Sequence, residues 1–216
     1  MKHLTALALV ALGLKSAHAA HGVDFSTSLS VDTLACLHNN GMEFAIPRAW
    51  CSFGGMDWNG PSNVNNARAA GIPYVDIYMF PCKGKSAADQ VNTLINNMGG
   101  SNYGMIWLDI ESNPSDNCEW SGDINSNCAF LDELVRTVRG RGKVPGIYSS
   151  RHMWTEIFGS PDNCAWFSDV PLWYAHYDGE DNYNDWVSFG GWGRPAMKQY
   201  QGTSYLCGAG VDYSFW

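Results

Sequence analysis

The sequence predicts an α/β domain: a truncated TIM-like barrel of about five βα units followed by three strands with few helices. Three observations predict it. Short apolar runs alternate with helix-like segments up to about residue 160. Eight such runs are present, enough to close a barrel. The first and last repeat one pattern, G-V-D-aromatic-S, at 22–26 and 210–214.

Residues 1–20 read as a secretory signal peptide that is removed. Lys2 and His3 precede an apolar run from Leu4 to Leu14, and Ala17-His18-Ala19 is a small-x-small cleavage pattern. The run is about 11 residues, too short for a bilayer core that takes about 20. No membrane anchor is therefore expected. No linker or low-complexity stretch divides 21–216, which reads as a single domain.

The expected strands are 22–26, 43–50, 73–81, 104–111, 143–149, 170–177, 195–201 and 210–214. Several are apolar almost throughout, as strands covered on both faces are. Helices are expected at 32–40, at 63–70 capped by Ser62, at 87–98 capped by Ser86, and at 127–139, with at most a short turn at 153–158. Alternation of this kind implies parallel pairing through right-handed crossovers. The usual βα barrel takes about 250 residues, so the last units must lack helices. In a closed barrel the first and last strands are neighbours, which sets Asp24 beside Asp212.

Composition narrows the function. The chain has 216 residues and a net charge of −8. Loss of Lys2 and Lys15 with the leader takes it to −10. A nucleic-acid binder neutralises phosphates with basic patches, so that class is excluded. Charged residues at 16% and hydrophobic residues at 45% exclude a disordered tail and a coiled coil. Ten Trp and ten Tyr exceed what a core of this size needs and suggest a site that stacks flat ligands such as sugar rings.

Seven cysteines lie beyond the leader. In an oxidising compartment six form three disulfides and leave one thiol. Cys118 and Cys128, flanking a polar loop, are the expected local pair. No C-x-x-C or H-x(3–5)-H spacing is present. No metal or organic cofactor is expected.

The sharpest local signal is Trp107-Leu108-Asp109-Ile110-Glu111. Alternation points Asp109 and Glu111 to one face, roughly 6–7 Å apart along the strand. Active sites of βα barrels lie at the C-terminal strand ends, so both acids would enter the mouth where Asp24 and Asp212 also converge. Four converging acids repel, so at least one pKa is raised. A raised carboxylic acid beside an ionised one is the equipment for cleaving a glycosidic bond. Asp76 reads instead as the buried partner of a neighbouring polar group, and His176 as packing against a helix or loop.

The opening G-V-D-F-S, the central W-L-D-I-E, P-L-W-Y-A-H-Y at 171–177, K-Q-Y at 198–200 and the closing G-V-D-Y-S stand in one order. Together they resemble the family 25 glycoside hydrolases, lysozymes of the Chalaropsis type. Residues 74–82 and 190–200 are similar to the family's secreted eukaryotic branch. The resemblance implies a βα barrel and hydrolysis of the β-1,4 bond between N-acetylmuramic acid and N-acetylglucosamine in peptidoglycan. It implies Glu111 as general acid, with Asp109, Asp24 and Asp212 at the other acidic positions. Tyr78, Tyr148, Trp173 and Tyr177 are the candidate sugar-contacting rings, and Gln199 a hydrogen-bonding partner for an acetamido group. Met79 and Lys198 depart from the family pattern, where a His and often a Trp stand; both bear on subsite affinity rather than catalysis.

The expected partner is bacterial peptidoglycan, met by a secreted monomer outside the cell or in the lumen of an acidic digestive or phagosomal compartment, in a digestive or antibacterial role. Acidity would relieve repulsion between an anionic protein and an anionic wall. A non-catalytic glycan-binding protein on the same fold and a chitinase-like hydrolase are the alternatives.

Overall fold

The computed structural model describes residues 19–216; the expected leader falls outside them apart from Ala19 and Ala20. The strands are β1 (His21–Phe25), β2 (Met42–Cys51), β3 (Gly55–Met56) folded back on the end of β2, β4 (Tyr74–Val75), β5 (Ile77–Met79), β6 (Met105–Asp109), β7 (Val144–Ser149), β8 (Leu172–Ala175), β9 (Met197–Leu206) and β10 (Ala209–Phe215). β4 and β5 form one wall of the barrel. They are the expected strand 73–81, interrupted at Asp76. The Asp76 carboxylate accepts from Met105 N at 2.7 Å and from Trp107 Nε1 at 2.9 Å, the buried-partner role read from the sequence.

The sheet runs β1-β2-β5-β6-β7-β8-β9-β10 and closes on β1, an eight-stranded barrel. Every pairing from β1 round to β9 is parallel. β10 returns from β9 through a tight turn and is antiparallel to both its neighbours. Asp212 therefore reaches the mouth on a descending strand, which alternation did not indicate.

The helices are α1 (Val31–Asn39), α2 (Asn59–Ala69), α3 (Ala87–Met98), α4 (Ile124–Gly140) and α5 (Arg151–Phe158). Ser30, Ser86, Asp123 and Ser150 cap α1, α3, α4 and α5 with side-chain oxygens on first-turn N–H groups. Helix α2 starts four residues before the expected 63, because Asp57, not Ser62, receives its first amide: Asn59 N donates to Asp57 Oδ1 at 3.1 Å. After residue 160 only a 3-10 turn, Ala165–Phe167, is present among the described residues.

The barrel interior is a small cluster of Phe44, Ile46, Trp107, Tyr148, Trp173 and Met197. Two glycines make room for it. A Cβ at Gly22 would lie 2.3 Å from the Phe44 ring, and one at Gly146 would lie 2.2 Å from Trp107. A larger core fills the space between barrel and helices. Where helices stop, rings take over: Trp154 packs against Phe158, Phe167, Phe189 and Trp192. Much of the aromatic surplus is thus structural. Trp154 and Phe158 belong to α5, and Phe167, Phe189 and Trp192 come from the helix-poor stretch after it, where Trp192 Nε1 donates to Val170 O at 2.7 Å.

The disulfides correct one expectation. Cys118 does not pair with Cys128; the pairs are Cys36–Cys207, Cys82–Cys118 and Cys128–Cys164, with Cys51 unpaired. Residue 118 ends a loop laid against the segment after β5, where Lys83 N donates to Cys118 O at 3.3 Å. Cys128 is buried on the inner face of α4, toward the loop that follows α5. Cys36–Cys207 spans 171 residues and ties α1 to the β9–β10 turn.

Closing a loop of that length restricts the unfolded chain by about 4–5 kcal/mol in the chain-entropy account. The double variant Cys36→Ala/Cys207→Ala should melt on the order of 10 °C lower. An unchanged melting temperature in calorimetry would refute the staple.

Candidate active site

Asp24, Tyr78, Asp109, Glu111, Tyr148, Trp173, Tyr177, Gln199 and Asp212 line a single cavity of about 120 Å³ at the mouth of the barrel. These are all nine residues singled out from the sequence. A different backbone device delivers each acid. Asp24 and Asp212 are register partners across the β1–β10 closure. Asp212 lies at a bulge, since Val211 pairs with Ser204 while Tyr213 pairs with Gln201. The extra residue, Thr203, takes a left-handed backbone (φ 56°) and donates its N–H to Asp212 Oδ1 at 2.6 Å.

Asp109 ends β6 opposite Tyr148 of β7. Glu111 follows two residues later, past the strand but held as if on it. Ile110 N donates to Tyr148 O at 2.8 Å, Ser149 Oγ donates to Ile110 O at 2.8 Å, and Trp120 Nε1 donates to Glu111 O at 2.8 Å.

Gln199 joins the two halves of the site. Its Oε1 accepts from Tyr148 Oη at 2.6 Å and Tyr177 Oη at 2.7 Å, and its Nε2 donates to Asp24 Oδ1 at 2.8 Å. The amide is thus occupied by protein groups and only 2% exposed. Trp173 forms the floor, edge-on to Tyr148 at 4.7 Å, with its Nε1 donating to Ser214 Oγ at 3.0 Å. Tyr177 is the exposed ring of the set.

The four carboxyl groups all titrate above their ordinary range. Burial is the largest cause for each. Asp212 adds repulsion at Asp24 and Glu111, and Glu111 adds it at Asp109. Asp24 and Asp109 are raised most. The Thr203 N–H holds Asp212 down against burial. Asp109 Oδ1 is buried with no hydrogen-bond partner among the described residues.

Two cations lie near the site; Arg48 has no place in the sequence reading, and Lys198 stands there only as a departure from the family pattern. Arg48 faces Tyr78 across β2–β5, and its charge opposes the rise at Asp109. Its Nε donates to Asp57 Oδ2 at 2.8 Å. Phe44 and Ile46 belong to the inward-facing cluster, so the same alternation that placed Asp109 could have flagged Arg48. Lys198 neighbours Gln199 on β9 but points to the outer face and is fully buried. Its Nζ donates to Asp178 Oδ2 and Asp185 Oδ1, both at 2.7 Å, and to Asn182 O at 3.0 Å. The loop so anchored leads directly from Tyr177. His176 Nδ1 also bonds Asp185, so His176 packs on this loop, as read from alternation. His176, Asp178 and Asp185 are spaced to hold a cation, and the Lys198 ammonium fills that place.

The family profile described as lysozyme-like protein 1 matches residues 15–200. Probable GH family 25 lysozyme 2 of Dictyostelium discoideum is 42% identical over 206 residues, 94% of this chain and 93% of that protein. Lysozyme-like protein 5 of Caenorhabditis elegans is 36% identical over 221 aligned positions, covering 100% of this chain and 99% of that one. A solved muramidase from Acremonium alcalophilum superposes with a TM-score of 0.74 at 25% identity, over 91% of this chain and 92% of that one. With this similarity along nearly its whole length, and with every acid it implies gathered in one barrel mouth, the chain belongs to the family 25 lysozymes and is a glycoside hydrolase.

Proposed function

We propose that the protein is a secreted N-acetylmuramidase, in which residues 1–20 direct export and 21–216 act as a monomeric catalytic domain on bacterial peptidoglycan. It hydrolyses the β-1,4 bond between N-acetylmuramic acid and N-acetylglucosamine. The observation that carries this reading is the convergence of four raised carboxyl groups on a mouth walled by tyrosines. Three disulfides suit an oxidising destination, and no helix among the described residues is long and apolar enough to cross a membrane.

Glu111 is the general acid. Burial and the Asp212 charge keep its proton on at mildly acidic pH, and it passes that proton to the glycosidic oxygen as the bond to the sugar's anomeric carbon breaks. Asp109, with an oxygen free of partners among the described residues, faces the donor sugar. Glu111 and Asp109 repel each other, so the pair acts with one proton between them. With that proton on Glu111, the ionised Asp109 stabilises the sugar cation directly, or it accepts from the 2-acetamido N–H so that the acetamido oxygen does so. Both routes retain configuration. Gln199 and the two tyrosine hydroxyls fix Asp24 and the wall of the cavity.

Incubation with peptidoglycan and with chitin, followed by mass spectrometry of new reducing ends, tests the reading. New ends at muramic acid are expected, lost about 10²–10⁴-fold in Glu111→Gln. Ends at N-acetylglucosamine from chitin alone would replace the muramidase by a chitinase, and binding without cleavage would leave a lectin.

The active form has its proton on Glu111 and none on Asp109, so rate follows the singly protonated pair and falls on either side of its range. Since the folded-state pKa of Glu111 is raised, kcat/KM should be highest in mildly acidic buffer. It should fall about tenfold per pH unit once above that pKa. A profile peaking at pH 7–8 would contradict this assignment.

A further inference from the structure

Glu111 stands at the boundary of two cavities. The first, already described, holds Asp24, Asp109 and Asp212. The second, about 400 Å³, shares Glu111, Tyr148 and Tyr177 with it and extends over the β7–α5 junction. A general acid touches the oxygen of the bond it breaks, so the sugar that becomes a cation lies on one side of it and the sugar that leaves on the other. Three aspartates assign the first cavity to the cation. The second has no carboxyl group but Glu111, and its room is on the leaving side.

Its other polar lining includes Arg151, His152 and His176, in a chain where 21 Asp and Glu outnumber 13 Lys and Arg. Two of the three are committed. His152 Nε2 lies 3.5 Å from Glu156, and His176 bonds Asp185. The Arg151 guanidinium makes no hydrogen bond or ion pair among the described residues. It is exposed, and a planar fork of donors there matches a carboxylate. N-acetylglucosamine offers no anion. The nearest anions on a peptidoglycan strand are the carboxylates of the peptide that muramic acid carries.

Resting on the muramidase reading, we propose that this second cavity is the leaving-group subsite and that Arg151 recognises a stem-peptide carboxylate on the departing strand. The contact selects for peptide-bearing glycan and against chitin, which has no carboxylate.

The test compares kcat/KM on peptide-bearing glycan strands from one wall preparation, with the stem carboxylates free and with them chemically amidated; removing the peptides would instead expose the lactyl carboxylate of muramic acid. In the wild type the strand with free carboxylates should be preferred. In Arg151→Gln the ratio of free to amidated should fall roughly 3- to 10-fold, mainly through KM, and further in Arg151→Glu. A wild-type ratio near one, or a ratio unmoved in both variants, overturns the proposal while cleavage itself stands. A wild type that cuts neither strand overturns the muramidase reading and this inference with it.

Discussion

Four carboxyl groups in one narrow mouth repel one another, and the pairing of β1 with β10 is what keeps them together. Asp24 and Asp212 are direct register partners there, while Asp109 and Glu111 come from β6 across the barrel. Burial strips each of water, and the neighbours add repulsion. A carboxyl group whose folded pKa is raised contributes stability below its unfolded pKa and loses it as pH rises through the folded value. The site therefore works against the fold at neutral pH and is relieved on acidification. The same strain keeps a proton on Glu111, where the chemistry needs one.

The rest of the fold offsets that strain. Gly22 and Gly146 let Phe44 and Trp107 fill the barrel below the acids, so the mouth has a solid floor. The Trp154 cluster covers the helix-poor side. β9 serves both faces: Gln199 reaches inward to Asp24, Tyr148 and Tyr177, and Lys198 reaches outward to Asp178 and Asp185. Against the raising effect of burial, the bonds from Lys198, His176 and Tyr174 bring Asp185 down to about 2, so this clamp persists in acid. Lys198 stands where the family often has a Trp, and its role here is to hold the loop behind Tyr177.

Much of this was legible because strands have a strict period of two. Alternation put Asp109 and Glu111 on one face, and the repeated G-V-D-aromatic-S placed Asp24 beside Asp212 once closure was assumed. What stayed hidden depends on long-range geometry. The reversed direction of β10 leaves no local signal. The partners of Cys118 and Cys128 are set by loops that meet only in the folded chain. Helix α2 begins at Asn59, whose amide donates to the Asp57 carboxylate, with no side-chain cap at its N-cap Trp58, so Ser62 falls inside the helix. The aromatic excess divides between the cavity, lined by Tyr78, Tyr148, Trp173 and Tyr177, and packing clusters such as that around Trp154, and composition alone does not separate the two. Arg48 lies in a mostly apolar strand and carries no motif, so only its alternation with Phe44 and Ile46 marks it as inward-facing.

The central claim is electrostatic: Glu111 holds its proton because it shares a dry mouth with other acids. Carboxyl-carbon NMR titration of Glu111, in the wild type and in Asp212→Asn, measures it directly. The account requires a Glu111 pKa above the ordinary glutamate value that drops when the Asp212 charge is removed. An ordinary value in the wild type, or one indifferent to residue 212, would contradict it.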